Sequence, residues 1–142
     1  MNHILEQAKQ RLYQEDFTCV MCKGDLCYTS RERGVKPLLT WLEQEMDCTG
    51  FSAADKVVGK GAAFLYVLLG VKEVYASIIS QAALDLLEKH GIATTYDSKV
   101  NAIINRAGTG PCPMEEATKD CESPQYALAA IKNTLRKLRQ SS

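Results

Sequence analysis

The 142-residue sequence predicts an α/β sandwich built on a mixed sheet. Three observations carry that expectation: a β-hairpin pattern near the amino terminus, a strand–helix–strand pattern in the middle, and amphipathic helical stretches at both ends. A hairpin requires antiparallel pairing and a βαβ unit requires parallel pairing, so one sheet holding both is mixed.

Residues 2–15 read as a helix with Ile4, Leu5, Ala8 and Leu12 on one stripe. Two short β-type runs follow, Phe17–Cys22 and Leu26–Thr29. They flank Lys23-Gly24-Asp25, where the glycine supplies the turn. Pro37 stands near the first turn of a short helix, Leu38–Met46, which packs Leu38, Leu42 and Met46. Residues 47–53 read as a loop. A helix is expected from Ala54 to Leu69, ended by Gly70, and apolar nearly all round in its second half, hence buried.

"EVYASIIS" reads as a central strand because its apolar residues are almost continuous. "SQAALDLLEKHG" reads as a helix with Ser80 as N-cap and Gly91 just past its end. "IATTY" is a further strand, and "SKVNAII" fits a short helix or a strand equally. "NRAGTGPCPMEEATKDCESP" reads as a loop, with its glycines and prolines and few large apolar residues. Ser123-Pro124 opens a last helix whose stripe is Leu128, Ile131, Leu135 and Leu138. Its Lys132, Arg136, Lys137 and Arg139 suit the carboxyl end of the helix dipole. No repeat or linker interrupts the chain, so residues 1–142 are expected to form one domain.

Hydrophobic residues make up 46% and charged residues 24%, a globular mixture able to bury a core. Lys+Arg and Asp+Glu each number 17, which argues against a surface built for duplex nucleic acid. The longest apolar run, Ala62–Leu69, is far short of the roughly 20 residues that cross a bilayer, so no membrane partner is expected. The opening "MNHILEQAKQRLYQEDF" has no apolar core of a secretory leader, and a cytoplasmic location is expected. On that expectation the six cysteines, at 19, 22, 27, 48, 112 and 121, are read as thiols.

A hairpin, a buried helix, a strand, and a helix capped at the strand end together resemble the cytidine-deaminase fold. "DKVVGKGAAFLYVLLGVKEVYASIIS" with "NRAGTGPCPME" resembles, more narrowly, a small prokaryotic family known as a domain of unknown function and placed in the deaminase-like superfamily. The resemblance covers residues 3–138 and implies a three-layer α/β/α sandwich. Zinc deaminases of that superfamily carry His-x-Glu or Cys-x-Glu at the start of the buried helix and Pro-Cys-x-x-Cys at the next strand–helix junction. Here those places hold Gly59-Lys60-Gly61-Ala62-Ala63 and Ser80-Gln81-Ala82-Ala83. Neither offers a ligand or a proton-shuttling glutamate. Zinc-dependent deamination is therefore not implied, and neither a metal nor a cofactor is expected.

Two clusters stand out as sites. Asp55, Lys56, Gly59 and Lys60 precede the apolar helical run, where backbone N–H groups and lysines can hold an anion. The plain alternative is a solvated first turn. Asn105, Arg106, Thr109, Cys112 and Glu115 crowd polar and reactive side chains into the glycine- and proline-rich loop. A nucleotide or other phosphorylated small molecule is expected to bind with Lys56 and Lys60 on its anion and Asn105, Arg106 and Thr109 on its other polar groups. A second expectation makes Cys112 a nucleophile or sulfur carrier, with Asp55 or Glu115 as proton acceptor. A third is a regulatory or interaction domain, with the Leu128–Leu138 stripe serving a homodimer. Cys19 and Cys22 do not read as a metal site, because an odd separation on a strand sends them to opposite faces. The first two expectations require the buried helix's amino end and the Pro111–Pro113 segment to meet across one cavity.

Overall fold

The amino-terminal stripe forms the predicted helix: α1 (His3–Gln14) buries Leu5, Ala8 and Leu12. In the computed structural model, which describes residues 3–104, 108–110 and 112–140, the chain then turns back at Gly24. Its φ of 60° suits a residue without a side chain. The turn joins β1 (Cys19–Lys23) to β2 (Leu26–Ser30) as an antiparallel hairpin. Next comes α2 (Lys36–Glu43), with Pro37 in its first turn. It stops short of Met46 because Glu45 takes a positive φ of 56° that a helix cannot accommodate.

The largest departure from expectation lies in residues 52–69. The helix expected from Ala54 is a strand, β3 (Ser52–Val58), followed by a shorter helix, α3 (Lys60–Leu69). Ala53, Ala54 and Lys56 have no strand preference of their own. Pairing decides their state, because β3 sits between β1 and β4 and both its edges are hydrogen-bonded. Gly59, extended at φ −97° and ψ −179°, separates the two elements. Asp55 and Lys56 therefore belong to a strand and not to the first turn of a helix.

β4 (Glu73–Ser80) and β5 (Ala93–Val100) follow the sequence reading, with α4 (Gln81–Lys89) between them. The Ser80 hydroxyl accepts a hydrogen bond from the Ala83 amide, and Gly91 has a φ of 75°, as the cap signals required. β5 takes in Ser98–Val100, and residues 101–103 are neither helix nor strand. The stretch read as a loop contains a helix of one and a half turns, α5 (Pro113–Thr118), which Pro113 and two glutamates favour at its start. α6 (Pro124–Gln140) closes the chain.

The sheet order is β2-β1-β3-β4-β5, antiparallel across β1 and parallel from β3 to β5, so the fold is α/β on a mixed sheet. β3 holds the middle and β4 lies beside it. One buried cluster joins α1 to Val20, Cys22, Ala54 and Tyr75. The other joins α2, α3, α4 and α6 to Cys19, Met21, Ala53 and Val74. Every residue from Gly61 to Tyr66 is buried. The α6 stripe goes mainly to this second cluster, through Ile131, Leu128 and Leu135, and leaves Leu138 exposed. Among the described residues no helix is long and apolar enough to cross a membrane.

Cys19 and Cys22 fall in opposite clusters, as their spacing required. The expectation of six thiols needs a correction: Cys22 and Cys27 are disulfide-bonded. The hairpin register places them directly opposite, with Cα atoms 4.2 Å apart, so the turn that forms the hairpin also brings the sulfurs together. Closing so short a loop restricts the unfolded chain by about 2 kcal/mol. Replacing both cysteines by alanine is expected to lower the stability by about that amount in urea unfolding. Alkylation of the unreduced, unfolded protein should label four thiols, Cys19, Cys48, Cys112 and Cys121.

Candidate functional site

A cavity of about 480 Å³ opens between the β1–β3 side of the sheet, the start of α3, α5 and the end of α6. Gly59, Gly61 and Ala62 line it at the start of α3, and Cys112, Pro113 and Met114 at the start of α5. Ile103, Ile104, Leu135 and Leu138 complete a mainly apolar wall. The α3 amino end and the segment at Pro113 thus share one cavity; Pro111 lies outside the described residues.

Asp55 is the buried charge of this cavity, with 6% of its surface exposed. The antiparallel register places Cys19 opposite it on β1, and α3 brings Tyr66 over both. The Tyr66 hydroxyl donates to Asp55 Oδ2 at 2.6 Å and lies 3.2 Å from Cys19 Sγ. The Val57 amide donates to Asp55 Oδ1 at 3.2 Å. No cation pairs with Asp55 among the described residues. Burial therefore raises its carboxyl to about 7, against the lowering pull of Tyr66 and the backbone amides. Burial also raises the Cys19 thiol, with the Asp55 charge adding to it, and the Tyr66 phenol is raised for the same two reasons. Cys19 and Tyr66 were absent from the candidates read in the sequence. The visible signal was the lone phenol in an otherwise apolar helical run; the opposition of Cys19 and Asp55 appears only with the register.

Of the two lysines expected to hold an anion, Lys56 lines the cavity and Lys60 does not. Lys56 Nζ reaches Asp16 Oδ1 at 3.3 Å and lies 5.9 Å from the Tyr13 ring centroid. Lys60 Nζ donates to the Lys119 carbonyl at 2.8 Å, which fastens α3 to the end of α5. Both ammonium groups are engaged because strand and helix each carry them to a neighbouring acceptor.

Glu115 closes the amino end of α3. Its Oε1 accepts from the Lys60 amide at 2.5 Å and from the Ser80 hydroxyl at 3.4 Å. A carboxylate here satisfies an orphan N–H and complements the helix dipole. A Cβ on Gly59 would stand 2.0 Å from that oxygen, so the glycine is what lets the carboxylate approach. Glu115 thus caps α3 and also lines the cavity.

Cys112 is half-buried, precedes α5 and donates its amide to the Ile103 carbonyl at 2.9 Å. Thr109 is exposed and is not part of the lining. Asn105 and Arg106 lie outside the described residues. Besides Lys56, two cations that the sequence reading passed over line the cavity on its exposed side, Arg33 before α2 and Lys36 at its first residue.

The chain superposes on the crystal structure of a DUF1893 family protein (TM1506) from Thermotoga maritima with a TM-score of 0.85 and 24% identity, over 94% of this chain and 90% of that one. At that identity the likeness shows a shared fold. No curated protein matches the sequence. Residues 7–135 match the family described as TM1506, domain of unknown function (DUF1893), and the chain belongs to that family.

Proposed function

We propose that the cavity binds a small molecule with a flat, mainly apolar body, such as the base of a nucleotide or of another phosphorylated compound. Asp55 takes a hydrogen-bonding group of that body, and Arg33 and Lys36 face its anionic end. The observation that carries this reading is Asp55 itself: a buried carboxyl with no cationic partner among the described residues, lining a mainly apolar cavity of about 480 Å³. Pockets of this size and character hold small organic ligands, with a few polar groups fixing orientation. A perturbed carboxyl in a cleft points to a functional position. The start of the buried helix α3 at this cavity and the capping of α4 at Ser80 support the three-layer, cytidine-deaminase-like arrangement that the resemblance implies. In this reading the layered framework is kept, and the places of the zinc motifs are taken by Gly59 to Ala63 and Ser80 to Ala83, which offer no metal ligand.

Thermal unfolding against a panel of nucleosides and nucleoside monophosphates tests the reading. At least one base class should raise the melting temperature with dose, because a ligand of the folded state stabilises it by mass action. Asp55→Asn should reduce that rise at pH 8, where the wild-type carboxyl is ionised. A flat response across the whole panel would overturn the reading.

A further inference from the structure

The cavity does not end at its own rim. A second, shallower groove of about 230 Å³ lies between α2 and α6. Leu135 lines both, so the two spaces adjoin at that side chain. Lys132 and Arg136 line the groove, four residues apart and therefore on one face of α6. Both are exposed, as are Arg33 and Lys36 on the cavity side of Leu135. None of these four cations makes a salt bridge among the described residues. One carboxylate, Glu43 of α2, lines the groove with them. Arg139 also lines it and already has an interaction of its own. In a chain of net charge zero, four cations without a salt bridge among the described residues, facing one carboxylate beside an apolar cavity, form a local concentration of positive charge.

We propose that the α2–α6 groove holds the phosphate tail of the cavity's ligand, and that the ligand belongs to the class carrying two or more consecutive phosphates. The body of the ligand rests on the cavity reading above; the anion site does not. A tail leaving the cavity past Arg33 and Lys36 crosses Leu135 and meets Lys132 and Arg136. Arginine offers a planar fork to phosphate oxygens and lysine a point charge. This placement differs from the Lys56 and Lys60 cradle expected from sequence, since those ammonium groups are engaged elsewhere.

Inorganic tripolyphosphate is the direct probe, titrated calorimetrically at low salt beside AMP and ATP. Tripolyphosphate should bind, and Lys132→Ala with Arg136→Ala should weaken it about tenfold, the loss of roughly one good ionic contact. The same pair should weaken ATP to the level of AMP and leave AMP unchanged. Glu43→Gln should tighten tripolyphosphate, since it removes the opposing charge. Val57→Trp, at an exposed strand position lining the cavity, should weaken AMP and leave tripolyphosphate unaffected. Absence of tripolyphosphate binding, or equal binding by the doubly substituted protein, overturns the groove even where AMP binds. Tripolyphosphate binding that depends on Lys132 and Arg136, with no AMP binding, supports the groove and removes the cavity reading instead.

Discussion

Asp55→Asn is expected to make the protein more stable at pH 8 and less stable at pH 4, there by no more than about 1 kcal/mol. In the unfolded chain the carboxyl titrates near 3.8, and in the folded protein at about 7. Between those values the folded state holds a proton that the unfolded state has released. Wild-type stability therefore falls as pH rises from about 4 to about 7 and levels off above. The shift of about three pH units corresponds to about 4 kcal/mol. An asparagine has no charge to bury, so it escapes that loss. Its amide must turn its oxygen to the Val57 N–H and its NH₂ to the phenol oxygen of Tyr66, a rearrangement costing about 1 kcal/mol. The net gain at pH 8 is expected to be about 3 kcal/mol in urea unfolding. A difference between the two proteins that stays constant from pH 4 to pH 9 would show that Asp55 does not titrate in this range.

Gly59→Ala is expected to cost about 2 kcal/mol, although the backbone there is extended and accepts alanine without strain. The new Cβ would lie 2.0 Å from Glu115 Oε1 and 3.3 Å from Ile103 Cγ1. Glutamate is flexible and can swing away, but swinging away leaves the Lys60 amide without its acceptor. A hydrogen bond to a charged group contributes about 1.5–3 kcal/mol, and that is the size of the expected loss. A double-mutant cycle separates this from simple crowding. With Glu115→Ala already present, Gly59→Ala should cost less than about 1 kcal/mol, because there is no cap left to displace. Equal costs in both backgrounds would place the damage at Ile103 instead.

The parts of the fold that were legible in sequence are those decided locally. Gly24 turns the hairpin, Ser80 and Gly91 bound α4, and Ser123-Pro124 opens α6. β3 was hidden because its alanines and Lys56 carry no strand signal, and its state comes from neighbours distant in sequence. The same distance hid half the site. Asp55 stood out among its neighbours, yet Cys19 and Tyr66 join it only through strand register and the packing of α3. Lys60 and Glu115 were visible as reactive types, but their engagement with the Lys119 carbonyl and the Lys60 amide depends on where α5 docks. Cys22 and Cys27 are five residues apart, and the register decides that they face each other.

The cavity draws its walls from six separated stretches, around Cys19, Lys36, Asp55 to Ala62, Ile103 and Ile104, Cys112 to Glu115, and Leu135 to Leu138. No fragment of the chain encloses it alone. A partly folded chain therefore does not form the cavity until α6 is docked, and an occupant would touch α6 and the central strand at once. Occupancy accordingly weighs on the global transition between folded and unfolded chain, in proportion to how far ligand concentration exceeds its dissociation constant. A ligand well above its dissociation constant would then shield the whole fold, and not one part of it, from unfolding.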